Sequence, residues 1–203
     1  MKKLILAGLV ATSLLAVCTP SFAGLGIKAG YVHANQNYDY TDEMINLDPG
    51  YLGGFDAGIS FEFLSLPVFG LVAEAHYIQK GMKVDIPDIS GPEPTSVEYK
   101  NKINYLSVPA LAKVSLGGLY AIAGPRIDIL LSKSVDSQFD SIYDKFETFV
   151  TGYDAGVGYQ LGIVPALSPL IELRYSGDFK DSYKSDTLSV NNKSFQLLVG
   201  VMF

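Results

Sequence analysis

From Leu25 to Phe203, apolar and non-apolar residues alternate with a period of two, segment after segment, and no apolar run after residue 23 approaches the ~20 residues of a spanning helix. Period two belongs to β-strands, whose successive side chains point to opposite faces. Helical membrane spans are therefore excluded, and strands with two unlike faces are predicted. In "GLGIKAGYVHAN" the apolar parity carries Leu25, Ile27, Ala29 and Tyr31; in "GGFDAGISFEFL", Phe55, Ala57, Ile59, Phe61 and Phe63; in "FGLVAEAHYI", Phe69, Leu71, Ala73, Ala75 and Tyr77. "NYLSVPALAKVSL" gives Leu106, Val108, Ala110, Ala112 and Val114, and "GLYAIAGPRIDILLS" gives Leu119, Ala121, Ala123, Ile127, Ile129 and Leu131. "FVTGYDAGVGYQLGI" contributes Phe149, Tyr153, Ala155, Val157, Tyr159, Leu161 and Ile163, and "LIELRYS" contributes Ile171, Leu173 and Tyr175. The eighth segment, "SFQLLVGVMF", carries Phe195, Leu197, Val199, Val201 and Phe203.

The connections between these segments alternate too. "SLP", "GG" and "VPALSP" are tight turns, whereas "QNYDYTDEMINLDPGY", "GMKVDIPDISGPEPTSVEYKNK", "KSVDSQFDSIYDKFE" and "GDFKDSYKSDTLSVNN" read as long polar loops. Short turns on one side and long loops on the other are the asymmetry of an antiparallel sheet threaded through a membrane. The predicted fold is all-β: an eight-stranded antiparallel up-and-down transmembrane β-barrel spanning residues 24–203.

The first 23 residues read as a secretory signal peptide: Lys2 and Lys3, the uncharged "LILAGLVATSLLAV", then Ser21-Phe22-Ala23. Cleavage is expected between Ala23 and Gly24. The only cysteine, Cys18, falls in this leader, so the mature chain reaches an oxidising compartment without disulfides. Val17 stands where a lipoprotein signal wants a small residue. Lysine and arginine number 15 against 21 acidic residues, and two of those lysines fall in the leader. Nucleic acid, which selects a basic patch, is not an expected partner.

A soluble lipocalin-like barrel also alternates, so the second face has to decide. Here it carries Gly26, Gly30, Gly58, Gly124, Gly152, Gly156, Gly158, Gly162 and Gly200, together with charges of both signs: Lys28, Asp56, Glu62, Glu74, Lys113, Arg126, Asp128, Asp154, Glu172 and Arg174. Small residues suit a narrow lumen. Charges of both signs in that lumen are expected to pair as an ion network, because an isolated charge out of water is costly. The apolar parity then faces lipid, and eight strands leave an interior just wide enough for side chains to fill. Tyr31, Tyr77, Tyr153, Tyr159 and Tyr175 share the lipid parity, where Tyr and Phe must form the interfacial girdles of a chain without Trp. Pro109 and Pro125 interrupt the fourth and fifth segments, and a bulge or strand end is expected at each. Pro67 and Pro165 sit in turns.

"NYLSVPALAKVSL" followed closely by "YAIAGPRIDILLS" resembles the fourth and fifth strands of PorT-like outer-membrane β-barrel proteins. The likeness in layout covers the mature chain, with Ser107 where that motif commonly has an acidic residue. It implies a bacterial outer-membrane location and supplies no catalytic residues.

Chemical motifs are sparse. His76 lies on the inner parity beside Glu74, where an interior hydrogen bond is the expected role; His33 continues the outward parity near a loop without a serine at a telling spacing. "DYTDE" and "DIPD" read as acidic loop faces, not metal-ligand sets. "GVGYQLG" lies inside an alternating strand and precedes no helix, so it is not a phosphate loop. No catalytic, cofactor-binding or metal site is expected. The expected protein is a monomeric, non-enzymatic outer-membrane barrel with a plugged interior, whose loops meet an extracellular partner. The rivals are a narrow conduit for small or hydrophobic solutes and a lipid A-modifying enzyme. Phe195, Leu197, Val199, Val201 and Phe203 also resemble the C-terminal signal by which the barrel assembly machinery recognises its substrates.

Overall fold

The structure is a computed structural model that describes residues 24–40, 49–88, 95–135, 146–162, 167–179, 181–184 and 188–203. The leader with Ala23 and Cys18, Pro165, and most of "DYTDE" lie outside the described residues. Eight long strands form one ring: β1 (Leu25–Tyr40), β2 (Gly50–Ser65), β3 (Phe69–Asp88), β4 (Thr95–Leu116), β5 (Leu119–Ser134), β6 (Phe149–Gln160), β7 (Ser168–Asp178) and β9 (Leu188–Met202). The two-residue β8 (Tyr183–Lys184) pairs with β9 at the loop end, beyond the last β7 pair at Gly177. Each strand pairs antiparallel with its neighbour in sequence, and β1 closes on β9 without a break from Gly26–Met202 to Tyr40–Leu188. Closure removes the free edges that hydrocarbon does not tolerate. Backbone bonds from Phe203 N–H to the Leu25 carbonyl and from Glu62 N–H to the Gly24 carbonyl fasten the turn end of the seam.

The apolar parity points outward. Ile27, Ile59, Val157, Leu173 and Val199 are each about half exposed on the outer wall, while their sequence neighbours Lys28, Ser60, Glu172 and Leu198 are buried. Such an outer wall is stable only against lipid.

Three expectations need correction. First, Pro109 and Pro125 cause neither a bulge nor a strand end. Pro109 keeps its place opposite Arg126, and Pro125 opposite Tyr153. Pairing lapses for two positions on the β3 side of Pro109 and on the β4 side of Pro125, then resumes in the same register. Each missing N–H thus costs one ladder locally while the other ladder holds the strand. The β4–β5 shift lies instead between Asn104 and Tyr105, where Leu131 is the extra residue. Second, the strands run further than read. Residues 81–102 are not one loop: β3 continues to Asp88 and β4 starts at Thr95, so five residue pairs, Val84–Tyr99 to Asp88–Thr95, stand beyond the last β2 and β5 partners.

Third, the inner face is not uniformly small and polar. Toward the loop end it becomes apolar: Val32, Ala34, Ile78, Met82, Val84, Ile103, Tyr105, Val150 and Val190 pack together inside, joined by Phe146 and Tyr183. On the outer wall at that level stand Gln79, Lys83, Lys102, Asn104 and Lys193. The alternation has kept its period and inverted its phase. Below the rim the strands have lipid outside; above it they have water outside, so the apolar parity changes sides.

Candidate functional site

The inward parity brings charged side chains from seven strands together. At the turn end, Lys113 bonds Glu62 at 2.8 Å and Gln160 at 3.2 Å, and its ammonium lies over the Tyr120 ring. Tyr120 in turn donates to Glu172 at 2.8 Å. Next, Lys28 lies between Glu74 at 2.7 Å and Glu172 at 2.8 Å. The Arg174 guanidinium reaches the same two carboxylates, Glu74 at 2.7 Å and Glu172, and also Asp154 at 3.4 Å. Arg126 joins Asp154 at 3.0 Å, Asp128 at 3.1 Å and Asp178 at 2.6 Å, and Lys80 closes on Asp128 at 2.6 Å. His76 presents Nδ1 to Asp56 and Nε2 to Glu74.

All ten charged residues singled out in the sequence face this interior. Lys28, Asp56, Glu74, Arg126, Asp128, Asp154, Glu172 and Arg174 are linked in one chain of contacts, with His76 joining Asp56 to it; Glu62 and Lys113 form a pair tied to it through Tyr120. Lys80, Asp178 and Tyr120 were missed. Lys80 continues the parity of His76, and Asp178 that of Arg174 and Ser176, so extending each strand would have found both. The interior glycines have a spatial reason: a Cβ at Gly58, Gly152 or Gly158 would run into His76, Arg126 or Tyr120.

Above the ions a polar layer ties the mouth together. Asp178 accepts from Ser182 at 2.9 Å and from the Asn192 side chain at 2.8 Å, and the Gln36 side chain donates to Asn192 at 2.8 Å. The Glu147 N–H then bonds the Ser182 carbonyl, and Phe146 stacks on Tyr183 to cap the apolar cluster. At the turn end the filling leaves a cavity of about 20 Å³ beside Lys28, Glu62 and Lys113. That is room for a single water.

Outside the rim the charges behave differently. Glu98 bridges Lys100 at 2.6 Å and Lys83 at 3.0 Å, and these hydrogen bonds hold its carboxyl below the usual range while raising Lys83. Both groups are exposed, so the pairing contributes little to stability. His33 also stands outside, stacked on Tyr51.

The sequence matches the family described as outer membrane protein beta-barrel domain over residues 20–184. The chain belongs to this family. It is a protein of the bacterial outer membrane, with the short turns on the periplasmic side. No curated protein matches it. Among solved structures it is similar to the outer membrane protein OprG from Pseudomonas aeruginosa, with 11% identity, 89% of this chain and 96% of that chain covered, and a TM-score of 0.52. It is also similar to the Neisserial surface protein A, with 15% identity, 88% and 97% coverage, and a TM-score of 0.46. At such identities the likeness to OprG concerns the fold alone.

Proposed function

We propose that this protein is a closed, non-conducting outer-membrane barrel, monomeric and non-enzymatic, whose role is exerted outside the membrane by its long connections and the projecting β3–β4 hairpin. The observation that carries this reading is the filled lumen. An ion network occupies the turn half of the lumen, and a polar layer and an apolar cluster interleave toward the mouth; beside Lys28, Glu62 and Lys113 a cavity of ~20 Å³ is left among the described residues. An extended surface on a rigid scaffold is where such folds carry function. The segments "NYLSVP" and "AGP" support a finer placement among PorT-like proteins.

The reading is tested by conductance of the purified barrel in planar bilayers. No current above the lipid control is expected; steady ohmic steps would establish the narrow conduit instead. Unchanged lipid A mass spectra in cells with and without the protein are the matching expectation against a lipid-modifying enzyme.

The outward run Phe195, Leu197, Val199, Val201 and Phe203 of β9 is proposed as the mark read by the barrel assembly machinery. Phe203 is more than half exposed beside the β1 seam, available as an interfacial anchor. Deleting it is expected to lower the amount in outer membranes several-fold at unchanged synthesis, measured by fractionation and immunoblotting. Normal membrane levels would leave it an anchor only.

A further inference from the structure

On the outer wall, at the level where the apolar columns end, an ammonium group stands in an aromatic collar. Lys193 is the outward residue of β9 directly above Phe195, Leu197, Val199 and Val201. Its partners across the two ladders are Asn35 in β1 and Gly177 in β7, neither of them charged. Among the described residues no carboxylate pairs with it. Its ammonium lies 5.9 Å from the centre of the Tyr51 ring, which is two strands away, so the side chain lies across β1.

The rings around it are held in place. His33 stacks on Tyr51 with centroids 4.4 Å apart and planes 5° from parallel, and Tyr31 follows at 6.3 Å. On the other side, Tyr153 and Tyr175 lie with centroids 6.1 Å apart. A glycine seats each wing: a Cβ at Gly53 would meet the Tyr31 hydroxyl, and one at Gly177 would meet the Tyr153 ring.

We infer that this collar binds the phosphoryl headgroup of an anionic lipid, with an acyl chain lying down the β9 column. A ligand here must suit both halves of the surface. Its head must be anionic, because the cation lacks a counter-charge and sits at the headgroup level, where aromatic belts and basic side chains meet lipid phosphates. Its tail must be apolar, because Phe195, Leu197 and Val199 are all about half exposed directly below. A small anion would satisfy only the first condition. The Tyr51 ring lies against one flank of the ammonium and orients it by a cation–π contact, leaving the other flank open to a phosphoryl group.

The test uses the purified barrel extracted from mixed vesicles of phosphatidylglycerol and phosphatidylcholine, with the retained lipid identified by native mass spectrometry. The wild type is expected to retain phosphatidylglycerol several-fold over its share in the vesicle. Lys193→Gln should abolish that enrichment, Lys193→Arg should keep it, and Lys100→Gln, on the exposed hairpin, should leave it unchanged. Folding of each variant is checked by its heat-dependent gel mobility; if Lys193→Gln does not fold, Tyr51→Leu serves, with a weaker enrichment expected. Equal retention of both lipids by the wild type, or full enrichment in Lys193→Gln, would overturn the inference. So would inorganic phosphate in detergent removing the lipid as readily as excess phosphatidylglycerol does, since that would mark an ion site indifferent to the acyl chain.

Discussion

Replacing Arg174 with methionine is expected to destabilise the barrel by roughly 3–5 kcal/mol, the cost of stranding buried charge by removing one partner. The guanidinium is the contact shared by Glu74, Glu172 and Asp154, and it is 2% exposed. Without it, Glu74 and Glu172 share Lys28 as their only lysine or arginine partner, aided by His76 at Glu74 and the Tyr120 hydroxyl at Glu172, and Asp154 depends on Arg126 and the Ser176 hydroxyl. The measurement is urea unfolding of the barrel in lipid vesicles, in which the midpoint should fall at unchanged slope. Adding Glu172→Gln to the same chain should recover part of the loss, because it removes one of the stranded carboxylates. Lys83→Met, by contrast, removes an exposed partner of Glu98 and should leave the midpoint where it was. If Arg174→Met behaves like Lys83→Met, the interior charges are not the coupled network that the geometry describes.

Val199→Arg is expected to destabilise the protein by about 2–4 kcal/mol, the cost of a cation on the lipid face near the bilayer midplane. Val199 is more than half exposed and lies midway along the outward run from Phe195 to Phe203. In a soluble barrel a substitution at so exposed a position would usually change stability by less than 0.5 kcal/mol. The expected loss should shrink for the same substitution at Phe203, near the interface. Unfolding midpoints in vesicles distinguish the two cases, and a neutral Val199→Arg would mean that water, not lipid, covers the apolar parity.

Both expectations were already implied by the period of two, which tells inner from outer residue by residue wherever lipid lies outside. Lys28, Glu172 and Arg174 were legible because each stands on the parity opposite an unbroken apolar column. The loop half of the barrel was harder to read for a physical reason. Above the rim the outer solvent changes, so Met82, Val84 and Ile103 turn inward and Lys83 and Lys102 outward, and the same period gives the opposite phase. At the changeover stands Gly81, whose φ of 151° and close approach to the Asn101 carbonyl require glycine within a continuing strand. In the sequence that glycine looks like the start of a loop. A search for phase inversion would have carried β3 on to Val84 and the lumen on to Lys80. Pro109 and Pro125 misled in the opposite direction: proline removes one ladder bond, and a strand flanked on both sides can lose one without ending.

Partner choice across the lumen was not legible at all. Which carboxylate Arg126 meets depends on strand tilt and register, which place Asp178 beside it from two strands away.

The claim on which the rest depends is that β1 and β9 close the ring, because only a closed ring has an inside to fill and an outside to present to lipid. Ala29 and Val199 are paired across that seam, both on the outward parity, and residues 24–203 contain no cysteine. The most direct measurement is oxidative cross-linking of the doubly substituted Ala29→Cys, Val199→Cys protein in isolated outer membranes. Paired Cβ atoms in adjacent strands lie within disulfide reach. A closed barrel should give an intrachain disulfide, seen as a monomer whose denatured mobility shifts and reverts on reduction. An unlinked monomer under conditions that link a control pair, Ala57→Cys with Tyr77→Cys across β2 and β3, would contradict closure and the account built on it.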